Sequence, residues 1–291
     1  MLLIKNAQLR TMAGEGLYEG CILIGDDGKL AAVGKTVQAP AGAEVLDAGG
    51  RLVTPGLVDA HTHIGLHGTA IHWEGMEVNE KSDPLVPHMR AEDGFNPADE
   101  KLPEALRGGV TTVCTCPGSS NVVGGTAAVV KLVGNDVEQM LLKAPAAMKC
   151  AFGENPKKVY GNKNKQPITR MGIAAMLRDL LIRSRIYYEE KQSGKAPKYD
   201  AKLEAMVPVV AGQIPLKCHT HRADDILTAI RIAKEFGLSM TIDHGTEAHL
   251  VAEQVAASGF PVLTAIGPEN STERYAACTG TFSSSIGLPV M

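Results

Sequence analysis

A chain of 291 residues, 44% hydrophobic and 21% charged, is long enough to bury its own core and has an ordinary globular composition, which excludes a disordered or collagen-like protein. Its 29 basic and 32 acidic residues give a net charge of -3, so no cationic surplus exists to neutralise phosphates or an anionic surface, and neither a nucleic-acid nor a membrane partner is expected. The start, MLLIKNAQLRTM, lacks the basic-then-apolar plan of a leader, and the expectation is a cytoplasmic protein with reduced cysteines.

Up to about Pro55, the apolar runs LLIKNA, CILIG, KLAAVG and AEVLDA alternate with the turn sequences DDGK, APAG and AGGR. This predicts a small antiparallel β unit over residues 1–55. Over residues 56–291 the pattern changes to apolar runs alternating with helix-like segments, as in a parallel sheet wrapped by helices. The predicted strands are LVDAH, VTTVCTC, AAVVKLV, AAMKCAF, IPLKCHT, LSMTIDH, FPVLTAI and GLPVM, and eight of them suit a TIM (β/α)8 barrel. Cys114 and Cys116 form a C-x-C with no second close pair, so they read as small buried strand residues rather than a zinc knuckle. A long helix is predicted from an N-cap at Thr169 through TRMGIAAMLRDLLIRSRIYYEE, with Met171, Ala174, Leu177 and Leu181 on its apolar face. KQSGKAPK, residues 191–198, reads as an exposed linker. A second helix covers residues 224–236 and stops at Gly237, and a third begins near Thr246.

His61 and His63, in DAHTH, lie two apart at a strand end, where the period of two directs both imidazoles to one side. His219 closes IPLKCH and His244 closes LSMTIDH. Because the C-termini of barrel strands open on one face, the four histidines are expected to meet there and to hold a divalent metal through imidazole nitrogens. His221, two residues beyond His219, shares its side and is read as the catalytic side chain in contact with substrate, with Arg222 beside it. Asp224 suits a helix cap, and Asp59 either orients a ligating imidazole or is a structural acceptor. His67, His72, His88 and His249 read as surface or substrate-loop residues. The loop PGSSNVVGG can turn backbone N–H groups towards an anionic substrate group, whereas no phosphate-binding loop and no G-x-S-x-G elbow occurs.

Through GLVDAHTH, PGSSNVVGG, AFGENPKKVYG, HTHRADDI and IDHGTEAH, in that order, the chain resembles the amidohydrolase superfamily, in its imidazolonepropionase-like and related branch, over residues 1 to about 268. The resemblance implies a TIM barrel with a β-sandwich built from both chain ends. It also implies one or two metal ions, zinc first and iron or manganese as alternatives, held by His61, His63, His219 and His244. The family takes a further ligand from its middle strands, for which Glu154 and Lys149 both qualify, Glu154 being slightly favoured. The implied activity is hydrolysis of a C–N bond in a small cyclic or linear amide, imide or amidine by metal-activated water. The family's eighth-strand aspartate has no counterpart, because no aspartate follows Pro268. The barrel is therefore expected to be incomplete at its last strand and the chain truncated. A catalytically impaired or non-catalytic binding and assembly protein is the alternative function. With the first unit lacking partner strands, association between copies is also expected.

Overall fold

The computed structural model describes residues 1–68 and 72–264, and the expected strand GLPVM lies outside them. Met1–Leu57 form one compact unit, and a second begins at Val58.

In the first unit, β1 (Leu2–Leu9), β2 (Tyr18–Ile24), β3 (Leu30–Gly34), β4 (Glu44–Asp47) and β5 (Leu52–Val53) make one five-stranded sheet. β1 pairs with β2, and β2 with β3, in antiparallel hairpins. β4 and β5 instead lie parallel to β1, so the unit is mixed rather than antiparallel as expected. Alternating apolar residues on one face bury Ala7 and Leu9 against Ala48. The register shifts between Ile4 and Ala7, where Asn6 adopts φ 55°, a left-handed conformation that asparagine tolerates better than most residues.

The second unit carries a seven-stranded sheet of β6 (Leu57–Thr62), β7 (Val110–Thr115), β8 (Val123–Lys131), β9 (Leu141–Ala151), β10 (Leu216–Thr220), β11 (Met240–His244) and β12 (Val262–Leu263), in chain order across the sheet. This is the nearly closed barrel-like sheet that the alternation of strands and helices predicts. β9 through β12 are parallel, but β8 runs antiparallel to both of its neighbours. The reason is connection length. Only residues 116–122 join β7 to β8, too few for the crossover that a parallel pair requires, so the chain must turn back.

The helices are α1 (Ala91–Gly94), α2 (Lys101–Arg107), α3 (Val137–Met140), α4 (Glu154–Gly161), α5 (Arg170–Gln192), α6 (Ala201–Val210), α7 (Ala223–Phe236) and α8 (Ala252–Ser258). The Thr169 hydroxyl caps α5 by accepting from Gly172 N at 3.0 Å. The buried stripe of α5 is Ile173, Ala174, Leu177, Leu180 and Leu181, whereas Met171 is 79% exposed and lies off the face assigned to it. α5 runs on through Gln192, so the expected linker begins later than its composition suggests. α7 ends at Gly237 in the left-handed conformation at φ 65°, as expected of a glycine stop. The third expected helix begins as a 3-10 turn, Ala248–Val251, before α8.

Strand alternation divides the barrel wall into two chemistries. Met148, Cys150, Leu216, Cys218, Met240 and Ile242 point outward and share one apolar core with Leu177, Leu180 and Leu181 of α5. The alternate positions therefore point inward, and register aligns Lys149 with Lys217 and Thr241, and Ala151 with His219 and Asp243. The barrel interior is thus charged and hydrogen-bonding where its outside is apolar. Cys150 and Cys218 are free thiols of the outward row, and Cys116 is a buried free thiol.

Candidate metal centre

The strand ends bring five histidines together. Ring centroids lie 5.3 Å apart for His61 and His63, 4.8 Å for His61 and His244, and 4.6 Å for His219 and His244. His221 joins them, 4.6 Å from His219 and stacked on His244 at 4.9 Å. One ligand atom from each of His219, His221 and His244 falls within 4.8 Å of the others. Asp243 and His244 are adjacent, so strict alternation would send them to opposite faces. His244 has φ 71°, however, and this left-handed turn at the strand end lets its ring rejoin the inner side.

Four of the five imidazoles have a polar contact that orients the ring. His61 Nδ1 is 2.7 Å from Asp243 Oδ2, and His63 Nδ1 donates to the Cys116 carbonyl at 2.7 Å. His221 Nδ1 meets Thr246 Oγ1 at 2.7 Å. His219 Nε2 lies 3.2 Å from Asn155 Nδ2, and Asn155 in turn donates to Ser119 Oγ at 2.8 Å. Burial, reinforced by the Lys149 charge, pushes His63 down to about 3. Burial likewise brings His219 to about 4, and burial with the surrounding imidazoles brings His244 to about 2. Neutral at pH 7, these rings keep a lone pair available for a cation.

The donors fit a divalent metal. His61 Nε2 and His219 Nδ1 are buried and make no hydrogen bond among the described residues, a cost that a bound cation would remove. Imidazole ligands need to lie ~2.0–2.1 Å from a shared ion, so ligand atoms that now lie within 4.8 Å of one another would draw closer around it. Cys116 also falls within ligand range of His61 and His63, but its thiol faces Thr62 O at 3.6 Å and burial pushes its pKa up, away from the thiolate a metal prefers.

No family model matches. The solved structure of an amidohydrolase from Thermotoga maritima MSB8 superposes with a TM-score of 0.86 at 42% identity, over 91% of this chain and 70% of that one. The chain belongs to the amidohydrolase superfamily. Amidohydrolase tasK of Hapsidospora irregularis is 29% identical over 92% of this chain, and imidazolonepropionase of Sphingopyxis alaskensis is 36% identical over 37% of it. The chain spans about a third of the length of each of these two curated relatives, 30% and 31%.

Within this amidohydrolase chain, the two middle-strand candidates occupy different places. Lys149 is 1% exposed on the inner face of β9, with Nζ 3.9 Å from Cys116 Sγ. The Glu154 side chain is half-exposed in the first turn of α4, and its Oε1 lies 3.9 Å from His219 Nε2, beyond direct hydrogen-bond length. Of the two roles expected of Asp59 it takes the structural one, accepting from the backbone N of His61 at 3.0 Å, and the carboxylate that reaches the His61 ring is Asp243. Two further expectations need correction. Asp224 is not the cap of α7, because the N-cap position belongs to Arg222 and Asp224 accepts from that guanidinium at 3.0 Å. In PGSSNVVGG, Gly118 N donates to Val78 O and Ser120 N to Asn79 Oδ1, so these two groups are already committed rather than open to an anion. Of the remaining histidines, His67 approaches His63 at 6.2 Å between rings, and His249 Nδ1 lies 3.2 Å from Thr246 O.

Sequence reading missed Asp243, Lys217 and Asn155. The available signal was alternation itself, since Lys217 and His219, or Thr241 and Asp243, must share a face once His219 is placed inward.

Proposed function

We propose that this chain carries the metal centre of an amidohydrolase that hydrolyses a C–N bond in a small cyclic or linear amide, imide or amidine. The observation that carries the reading is the convergence of His61, His63, His219 and His244, neutral rings of which His219 is buried and the others half-buried, with the His61 Nε2 lone pair left unpartnered among the described residues. One or two ions fit, zinc being expected and iron or manganese the alternatives. When bound, such an ion supplies Lewis acidity, lowering the pKa of water towards ~7 and polarising a carbonyl.

The chain's own groups set the rest. His61 and His63 are fixed through their Nδ1 atoms, leaving both Nε2 atoms to face the site. Lys149 supports the middle-strand role better than Glu154, because it is enclosed beside the histidines, and carboxylated by carbon dioxide it would offer two oxygens to a pair of ions. His221, anchored at Nδ1 by Thr246, is neutral at pH 7 because burial lowers its pKa, and its Nε2 can take a proton from the attacking water and return it to the leaving nitrogen. We propose the β unit over residues 1–55 and the barrel domain from residue 56 onward, within three residues of the division between the two compact units. Small molecules are the expected partners. Among the described residues no helix is long and apolar enough to cross a membrane.

The test is a hydrolysis screen over imidazolones, hydantoins and N-acyl amino acids with metal-loaded and chelated protein. Turnover of at least one class is expected, lost on chelation and restored by metal. His221→Gln is expected to lower it by about 100-fold to 10,000-fold, the usual range for a proton-transfer group. Stoichiometric metal with no turnover of any class would instead favour the non-catalytic binding reading.

A further inference from the structure

Beneath the histidines lies a buried ion pair to which the reaction assigns no role. Asp243 and Lys217 face the barrel interior, 0% and 2% exposed. Lys217 Nζ is 3.1 Å from Asp243 Oδ2 and donates to the Ala60 carbonyl at 2.9 Å, immediately before His61 in the chain. Asp243 Oδ1 accepts from Thr241 Oγ1 at 2.7 Å, and Oδ2 also lies 2.7 Å from His61 Nδ1. Two donors, the Lys217 ammonium and the Thr241 hydroxyl, thus converge on one carboxyl group and favour its ionised form. A carboxylate can only accept, so the contact at His61 Nδ1 requires the imidazole to carry its proton on that nitrogen.

We infer that Lys217 and Asp243 are positioning residues that lock His61 in the Nδ1–H tautomer, keep its Nε2 lone pair directed into the site, and make His61 a stronger imidazole donor than His63. The inference rests on the metal reading above and deepens it. His63 provides the internal contrast, because its Nδ1–H donates to the neutral Cys116 carbonyl, and a neutral acceptor raises ring basicity less than a carboxylate does. Lys217 has two tasks. Its charge makes a fully buried carboxylate tolerable, and its second hydrogen bond ties that carboxylate to the backbone of the strand carrying His61. The unpartnered state of His61 Nε2 follows directly, since the tautomer that satisfies Asp243 leaves the other nitrogen as a bare acceptor.

Two measurements on the full chain test this. Long-range nitrogen–proton NMR spectra of the metal-free protein report the tautomer, with His61→Gln assigning the signal, and wild type is expected to show Nδ1–H at His61. Zinc titration against a chromophoric competitor gives affinity. Asp243→Asn is expected to bind about 10-fold to 100-fold more weakly than wild type, the usual loss when the partner of a ligating histidine is removed. Asp243→Glu should recover part of that loss. The Nε2–H tautomer in wild type, or a folded Asp243→Asn that binds zinc within twofold of wild type, overturns the inference. Wild-type protein that binds no zinc sinks the metal reading and the donor role together, whereas zinc-binding wild type with an unchanged Asp243→Asn sinks the inference alone. The tautomer measurement needs no folded Asp243 variant, so a variant that fails to fold leaves it decisive.

Discussion

His61→Ala is expected to weaken metal binding by more than about 100-fold, exceeding the loss anticipated from removing only a ligand's hydrogen-bond partner. The argument is geometric. His61 Nε2 is a buried nitrogen with no hydrogen-bond partner among the described residues, 4.8 Å ring to ring from His244, and the Cys116 thiol beside it is kept protonated by burial and so is a poor substitute. Asp243 keeps its bonds to Lys217 and Thr241 in the variant, so the fold should survive with a shift of only a few degrees in melting temperature. His244 requires a different substitution. Its φ of 71° strains most side chains, so alanine would mix backbone strain with ligand loss, whereas His244→Asn tolerates the left-handed conformation and isolates the ligand. Both variants are read by zinc competition titration alongside circular-dichroism melting. Affinity within tenfold of wild type in either would remove that histidine from the site.

Arg170→Met is expected to cost the largest amount of stability outside the core, about 2–3 kcal/mol at pH 7. Arg170 donates Nε and Nη2 to the two oxygens of Asp225 at 2.8 and 3.0 Å, and the Asp225 side chain is only 3% exposed. Stranding a fully buried carboxylate costs about 3–5 kcal/mol, and the figure is reduced here because Arg170 is itself about a third exposed and water can enter in its place. The pair also fixes local geometry. Gly153, at φ 84° just before Glu154, packs so closely that an added Cβ would meet Asp225 Oδ2 at 2.7 Å. The pH dependence has a definite sign. Burial raises the Asp225 pKa, and Arg170 works against that rise. Without Arg170 the folded-state pKa climbs further above the unfolded value near ~3.9, so the folded form binds the extra proton and stability falls as pH rises through that interval. The gap between wild type and variant should therefore be widest at neutral pH and narrow as pH approaches 4. Urea denaturation from pH 4 to pH 8 measures it, and a gap that widens towards acid would contradict the assignment.

The strand-end histidines were legible because each closes an apolar run and a parallel barrel gives every such end the same destination. Thr169 and Gly237 were legible as local chemistry, a hydroxyl cap and a left-handed stop. The direction of β8 was not, since VGGTAAVVK is almost wholly buried and an apolar run carries no sign of which way it points. Connection length held that information, through the short segment between Thr115 and Val123. The parallel arrival of β4 and β5 beside β1 was hidden for a related reason, because sequence spacing marks turns but not which edge a strand joins. The Asp243–His61 contact spans 182 positions. Alternation along β11 put Asp243 on the inner side, but which residue it would meet there depends on how the sheet curls, and that leaves no local pattern. Asp59, two residues from His61, was the nearer candidate in sequence, yet its carboxylate folds back onto the His61 backbone.

Anomalous diffraction at the zinc edge, from crystals of the zinc-loaded chain, tests the metal centre most directly. The account predicts a peak ~2.0–2.1 Å from His61 Nε2 that is shared with nitrogens of His63, His219 or His244, with Asp243 still bonded to His61 Nδ1. No peak at these strand ends in fully loaded crystals, or a peak that none of the four histidines touches, would contradict it.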